Sequence, residues 1–386
     1  MKVPVEYRGR EQTFLKHRVL SEYLRSWAHK MASLAGRPSY LGGTGEIRLW
    51  YVDCFAGPWQ AQDEGLDDTS VAIGLKALEQ AASTWSEKGY SIKLSAIFVE
   101  KDKRAFEKLE NFLAKRSGAI ECHPLPGAFG DFIEDINRLV GKDPAFLFVD
   151  PTGWKGVGMG FIAPLARVPR RDVLINVMFN HINRFKDDPR AFLRAQMKEF
   201  FGLSEGDIPA GLGEEELFAF YRQQLRKESG VRFAADLVIP HATRDRTWFR
   251  LVVGGHHQAV VELFRHVERQ ICGAEANEVR EEARSRDAAQ LGLGLDIEQE
   301  DIAYLRLHQM GLQYAEDDVF EMLKEHASLQ FNEFWPQVLC ERHITKTELS
   351  QVIWKLVKQG RLKVEPAYSG KRSIKDEDII ALPVAQ

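Results

Sequence analysis

Tyr51-Val52-Asp53-Cys54-Phe55-Ala56-Gly57-Pro58-Trp59 opens as a short apolar strand, meets an acid and then breaks into a turn of small residues. In open α/β sheets ligands bind outside the carboxyl ends of the strands, and a glycine there lets the backbone come close to the ligand. The junction therefore reads as a nucleoside-binding turn, with Asp53 orienting the loop or binding the ligand through water. The alternative is an ordinary strand end with a buried carboxylate.

Working outward, similar apolar segments lie at 47–55, 91–100, 119–125, 145–150 and 172–179. Their hydrophobicity is nearly continuous, which means that both faces are covered, as in a parallel sheet flanked by helices. Helical patterns at 70–85, 102–115, 130–140 and 159–166 separate them. Strand alternating with helix predicts a doubly wound α/β sheet. Segments 231–242 and 247–257 are close together and joined by a turn at Thr243 to Asp245. Such a terminal antiparallel hairpin is how class I methyltransferases complete a seven-stranded, mostly parallel Rossmann-like sheet.

The predicted organisation is an N-terminal helical segment (1–46), the Rossmann-like domain (47–272), a charged helix and linker (273–312) and a small C-terminal α domain (313–386). A helical insertion at about 186–228 is expected to cap the carboxyl edge of the sheet. In the first segment Leu15, Val19, Leu20, Tyr23, Leu24, Trp27 and Met31 recur at spacings of three and four, an amphipathic helix whose polar face carries Lys16, His17, Arg18, Arg25 and His29. From about residue 315 three helices and a short basic hairpin follow in winged-helix order.

Composition narrows the class. The chain has 386 residues, is 44% hydrophobic and 28% charged, and so reads as an ordinary globular protein of two or three domains. No apolar run has signal-peptide or membrane-spanning length, so a cytoplasmic protein is expected. Cys54, Cys122, Cys272 and Cys340 are far apart, which predicts reduced thiols and no metal site. The net charge is −4, yet nine Lys or Arg lie between Arg342 and Lys375 against only Glu348 and Glu365. Lys355, Lys358, Arg361, Lys371 and Arg372 are the candidates for nucleic-acid contact; a solvated helix face is the competing account.

Other strand ends carry chemistry as well. Glu100 closes Ile97-Phe98-Val99-Glu100, where a carboxylate accepts both hydrogen bonds of a ribose diol. It would alternatively serve as a helix N-terminal charge, a role open to Asp102 too. In Gly127-Ala128-Phe129-Gly130-Asp131-Phe132 an aromatic ring and Asp131 suit an adenine, although Asp131 would serve equally as a helix cap. The fourth strand ends Phe148-Val149-Asp150-Pro151-Thr152-Gly153-Trp154. There Asp150 and the Pro151 carbonyl would hold a target nitrogen while Trp154 stacks on the substrate. No Ser-His-Asp order, HExxH or Walker A sequence is present.

KHRVLSEYLRSW, YVDCFAGPW, FVEKD, LFVDPTGW and TWFRLVVGGHH, in this order, resemble the three-Cys-motif partner protein family over most of the first 260 residues. The resemblance implies a class I, S-adenosylmethionine-dependent methyltransferase fold and implicates Asp53, Phe55, Gly57, Glu100, Asp150, Pro151 and Gly153. It also implies a radical-SAM-like partner that bears the three cysteines. Trp59 and Thr152 stand where that family usually has glycine and an aromatic residue. The expected function is methyl transfer from S-adenosylmethionine to a nucleic-acid base or another amine. The alternative is a non-catalytic or regulatory partner subunit that keeps the fold.

Overall fold

The computed structural model describes residues 3–36, 46–57, 67–186, 188–206, 208–291, 303–366 and 373–383, with the side chains of 180, 181 and 287–291 left aside. Trp59, Lys371 and Arg372 lie outside these residues.

Helix α1 (Glu11–Ala32) precedes β1 (Glu46–Asp53), α2 (Ser70–Ser86), β2 (Ser91–Glu100), α3 (Lys103–Lys115), β3 (Ile120–Pro126), α4 (Ile133–Val140), β4 (Ala145–Val149), α5 (Met159–Ala166) and β5 (Arg171–Val177). Three helices follow, α6 (Phe179–Phe185), α7 (Ala191–Phe201) and α8 (Glu214–Ser229), and then the hairpin β6 (Phe233–Pro240) and β7 (Thr247–Gly255). The strands form one sheet in the order β3-β2-β1-β4-β5-β7-β6. β1 to β5 pair in parallel, whereas β7 runs antiparallel to both β5 and β6. This is the Rossmann-like sheet of class I methyltransferases, with the predicted terminal hairpin.

Successive strand residues point to opposite faces, and here both faces are covered. Tyr51, Phe98 and Phe146 enter one apolar core with α1, α2 and α9 (Ala259–Gln270). Val52, Ile97 and Leu147 enter a second core with α4, α5, α7 and α8. The segment expected to cap the carboxyl edge thus largely builds the second face: α7 and α8 pack on α5, and α8 also on β6. Leu217, Phe218, Tyr221 and Leu225 of α8 are buried in that core, and burying this stripe decides the placement.

A π turn at Ile271–Glu275 carries α9 into α10 (Ala276–Leu291). Then come α11 (Ala303–Glu325), β8 (Ser328–Gln330), α12 (Phe331–Glu341), α13 (Lys346–Lys358), β9 (Lys363–Glu365) and β10 (Ile379–Ala381), the three strands ordered β8-β10-β9. This C-terminal unit packs on β6 and α9 through a buried polar cluster. The Arg265 guanidinium donates to the Leu339 carbonyl (2.9 Å), the Asp236 carbonyl (2.7 Å) and Glu268 Oε2 (2.6 Å). Burial alone would raise the Glu268 carboxyl, but the charges of His343 and Arg265 hold it below its ordinary value. No described helix is long and apolar enough to cross a membrane.

Candidate active site

The chain leaves the sheet centre after β1, runs to the β3 edge and returns to β4, so the carboxyl ends of β1 and β4 diverge at a switch point. A cavity of about 540 Å3 opens there, lined among others by Phe55, Gly57, Glu100, Gly127, Phe129, Asp150, Pro151, Thr152, Gly153, Trp154 and Phe185. Sequence segments from four strand ends and the end of α6 therefore meet at one place.

Asp53 shapes this site without lining it. Its Oδ1 accepts from the Phe55 amide (3.1 Å), and its Oδ2 accepts from Ser70 Oγ (2.6 Å) and the Tyr51 hydroxyl (3.3 Å). These bonds tie the turn after β1 to the start of α2. Full burial pushes the Asp53 carboxyl up to about 6, against the hydrogen bonds from Ser70 and Phe55. The turn is also held from the neighbouring strands, since the Ala56 amide donates to the Val99 carbonyl (2.8 Å) and the Cys54 amide to the Phe148 carbonyl (2.9 Å).

Glu100 is 8% exposed and lines the cavity at the end of β2. Its Oε1 accepts from the Asp102 amide at 2.6 Å. Asp102 is the N-cap of α3, accepting from the Ala105 amide at 2.9 Å. Asp102 thus caps α3, while Glu100 both lines the cavity and sits beside that helix N-terminus. Asp131 is exposed on the short helical turn Phe129–Phe132, does not line the cavity, and provides no side-chain cap to α4. Phe129 and Gly127 line that wall instead. Gly127 has φ +154°, and a Cβ there would lie 2.9 Å from the Phe132 ring, so the close approach of the chain requires glycine.

Trp154 stands in the opposite wall, edge-on to Phe185 with ring centroids 5.0 Å apart, and its Nε1 donates to Gln196 Oε1 at 3.3 Å. Asp150 follows β4 with both carboxylate oxygens engaged. Lys16 Nζ lies 2.5 Å from Oδ2, and Asn176 Nδ2 donates to Oδ1 at 2.7 Å. Beyond Asp150, Pro151 and Thr152 lies a second chamber of about 270 Å3, also lined by Arg10, Thr13, Lys16, His17, Ser70, Asn176 and Phe249.

Lys16, His17 and Asn176 were not among the sequence candidates. Lys16 and His17 belong to the expected solvent-facing side of α1, yet both are buried. The signal was present: Lys16, Leu20, Tyr23 and Trp27 follow at four, seven and eleven residues, one stripe of a helix, so a lysine stands on the apolar face. Likewise Asn176 interrupts the apolar run Val173 to Val177 of β5, and a buried polar residue is the informative exception. His17 Nδ1 is 2.9 Å from the Tyr7 hydroxyl. Burial, aided by the Lys16 charge, pushes the His17 imidazolium down to about 3, leaving the ring neutral at ordinary pH.

Lys355 and Lys358 are exposed on α13. Arg361 is committed elsewhere, ion-paired with Glu316 and set 4.6 Å over the Phe320 ring.

No family model matches the chain, and no curated protein does. Among solved structures it is similar to a loganic acid methyltransferase with SAH, at 10% identity and a TM-score of 0.32, covering 75% of this chain and 92% of that one. A Legionella pneumophila protein of the DUF519 family gives 10% identity, a TM-score of 0.34 and coverage of 65% and 92%. A Mycobacterium tuberculosis cyclopropane synthase gives 11%, 0.27, 64% and 74%. These likenesses are weak, and the fold assignment stands on the strand order and directions of the chain itself.

Proposed function

We propose that this chain transfers a methyl group from S-adenosylmethionine to an amine-bearing acceptor, a base of a nucleic acid. The observation that carries the reading is the switch-point cavity, with Glu100 on one side and the Asp150–Thr152 wall, shared with a second chamber, on the other. The residues present fit the cofactor. Glu100 would accept from a ribose diol, Phe129 would flank an adenine, and the turn at Phe55 and Gly57, propped by Asp53, would lie against the amino-acid end. When bound, the cofactor supplies an electrophilic methyl group on a sulfonium sulfur.

The second chamber then takes the acceptor. Displacement at a methyl group depends on alignment more than on a strong base, and the Pro151 carbonyl suits the orienting of a planar amine there, whereas Trp154 lines the first cavity and not this chamber. A base reaches such a chamber only from a single strand or flipped out of a duplex. The helix, strand and helix order of the C-terminal unit, with strands arranged β8-β10-β9, supports a winged helix, and Lys355 and Lys358 on α13 suit contact with phosphates. The engagement of Asp150 by Lys16 favours a second reading, a partner subunit of a three-Cys-motif protein whose acceptor site is already closed by internal bonds.

Calorimetric titration of the full chain with S-adenosylmethionine and S-adenosylhomocysteine separates the two. Micromolar binding that weakens at least about tenfold in Glu100→Gln supports the transferase, because a lost hydrogen bond to a charged group is worth about 1.5–3 kcal/mol. A folded chain that binds neither compound supports the partner subunit.

A further inference from the structure

We infer that Asn176, rather than Asp150, receives the N–H of the methyl acceptor, and that this acceptor is a neutral planar amine, such as the exocyclic amino group of a base. The inference rests on the methyl-transfer reading above and assigns the second chamber its ligand.

The geometry starts from Asp150, whose Oδ2 is held by Lys16 Nζ and Oδ1 by Asn176 Nδ2. That second bond settles the orientation of the amide, since the reverse would bring two oxygens together. Asn176 Oδ1 therefore points away from the carboxylate. Asn176 is only 2% exposed, lines the second chamber, and its Oδ1 is buried with no partner in the protein. A buried acceptor without a donor is unfavourable, so an N–H or O–H arriving in the chamber is selected at this atom.

Charge decides which donor. Among the described lining residues two acids and two strong bases are matched, Arg10 with Asp68 at 2.8 Å and Lys16 with Asp150 at 2.5 Å. Among these residues an alkylammonium would find each carboxylate already ion-paired and would meet the Lys16 ammonium. A neutral amine needs only the Asn176 oxygen to orient it: as the new N–CH3 bond forms, the S–CH3 bond of S-adenosylmethionine breaks, S-adenosylhomocysteine leaves, and the surplus N–H proton passes to solvent. Phe55 and Phe249, both in the chamber wall, offer apolar faces to the ring that bears it.

The test uses the full chain, methyl-tritiated S-adenosylmethionine, and five probes: single-stranded oligo-dA, oligo-dC and oligo-dG, whose bases bear exocyclic amines, oligo-dT, which has none, and spermidine. The expected result is label in at least one amine-bearing strand and none in oligo-dT or spermidine. Asn176→Ala should lower kcat/KM at least about tenfold with cofactor affinity retained, assayed below its melting temperature, which falls because Asp150 Oδ1 loses a donor. Asn176→Ser, which restores one acceptor oxygen at nearly the same size, should recover part of that loss. A residue that merely propped Asp150 would cost nothing further when replaced by Ala in an Asp150→Asn background, whereas an acceptor contact with the substrate would still be lost there. Label in spermidine, or an Asn176→Ala variant as active as the native chain, overturns the inference and leaves methyl transfer standing. No label in any strand from a chain that binds the cofactor also overturns it, whereas absence of cofactor binding removes the methyl-transfer reading itself.

Discussion

Replacing Lys16 by Met removes one partner of a pair whose side chains are 8% and 16% exposed. Breaking a buried pair costs about 3–5 kcal/mol, because the remaining charge is left uncompensated. Here the cost should fall just below that range, about 2–3 kcal/mol, since Asp150 is slightly wetted and keeps its bond from Asn176 at 2.7 Å. Asp150→Asn alone should cost a similar amount, because it strands the ammonium that sits 5.1 Å over the Phe249 ring. The double variant carries no buried charge at this position. It should return to within about 1 kcal/mol of the native chain, a coupling of about 3–5 kcal/mol, at or above the top of the range for groups in direct contact. Urea unfolding of the four proteins, compared through their midpoints at equal slope, measures it. A coupling below about 0.5 kcal/mol would refute the pair, and with it the claim that Asp150 is occupied before any substrate arrives.

Burial pushes the Asp172 carboxyl up to about 7, against the Tyr23 hydrogen bond and the Lys30 charge. A group that holds its proton more tightly when folded stabilises fully below about pH 4, and that contribution is lost as pH rises towards 7. Asp172→Asn should therefore flatten stability across this window and raise it at higher pH by up to about 4 kcal/mol; an unchanged slope in urea unfolding against pH would sink this. Gly74 faces Tyr51 so closely that a Cβ would lie 2.2 Å from the ring. Gly74→Ala should cost about 1–3 kcal/mol by overpacking and weaken S-adenosylhomocysteine binding through the Tyr51–Asp53 bond; native affinity in calorimetry would contradict it. Replacing Lys355 and Lys358 together by Ala should lower the slope of log affinity against log salt for a single-stranded oligonucleotide by about 1.4. Arg361→Ala should lower it by less than either lysine, because Glu316 already neutralises that guanidinium; fluorescence anisotropy across a salt series decides, and an unaltered slope in the double variant removes α13 from the interface.

What was legible in the sequence was whatever local pattern governs. The strand at Ser91–Glu100 and the helices at Ser70–Ser86 and Met159–Ala166 fall within one residue of their expected bounds, because apolar runs and periodicity are local properties of the chain. The carboxylates Glu100 and Asp150 were legible for the same reason, since a parallel sheet aligns its strand ends at one edge and places ligands there. The sequence left undecided which acid does what. That Asp102 caps α3 while Glu100 faces the cavity, and that Asp131 does neither, follows from side-chain directions set only once the chain is packed. The meeting of Lys16 with Asp150 spans 134 residues. Periodicity placed Lys16 on a helix, but only the packing of α1 on the sheet, which brings it beside the residue that follows β4, made it a buried partner. Local pattern thus determined the elements and their order, and tertiary packing, which alone brings distant polar groups out of water into contact, decided the chemistry of the site.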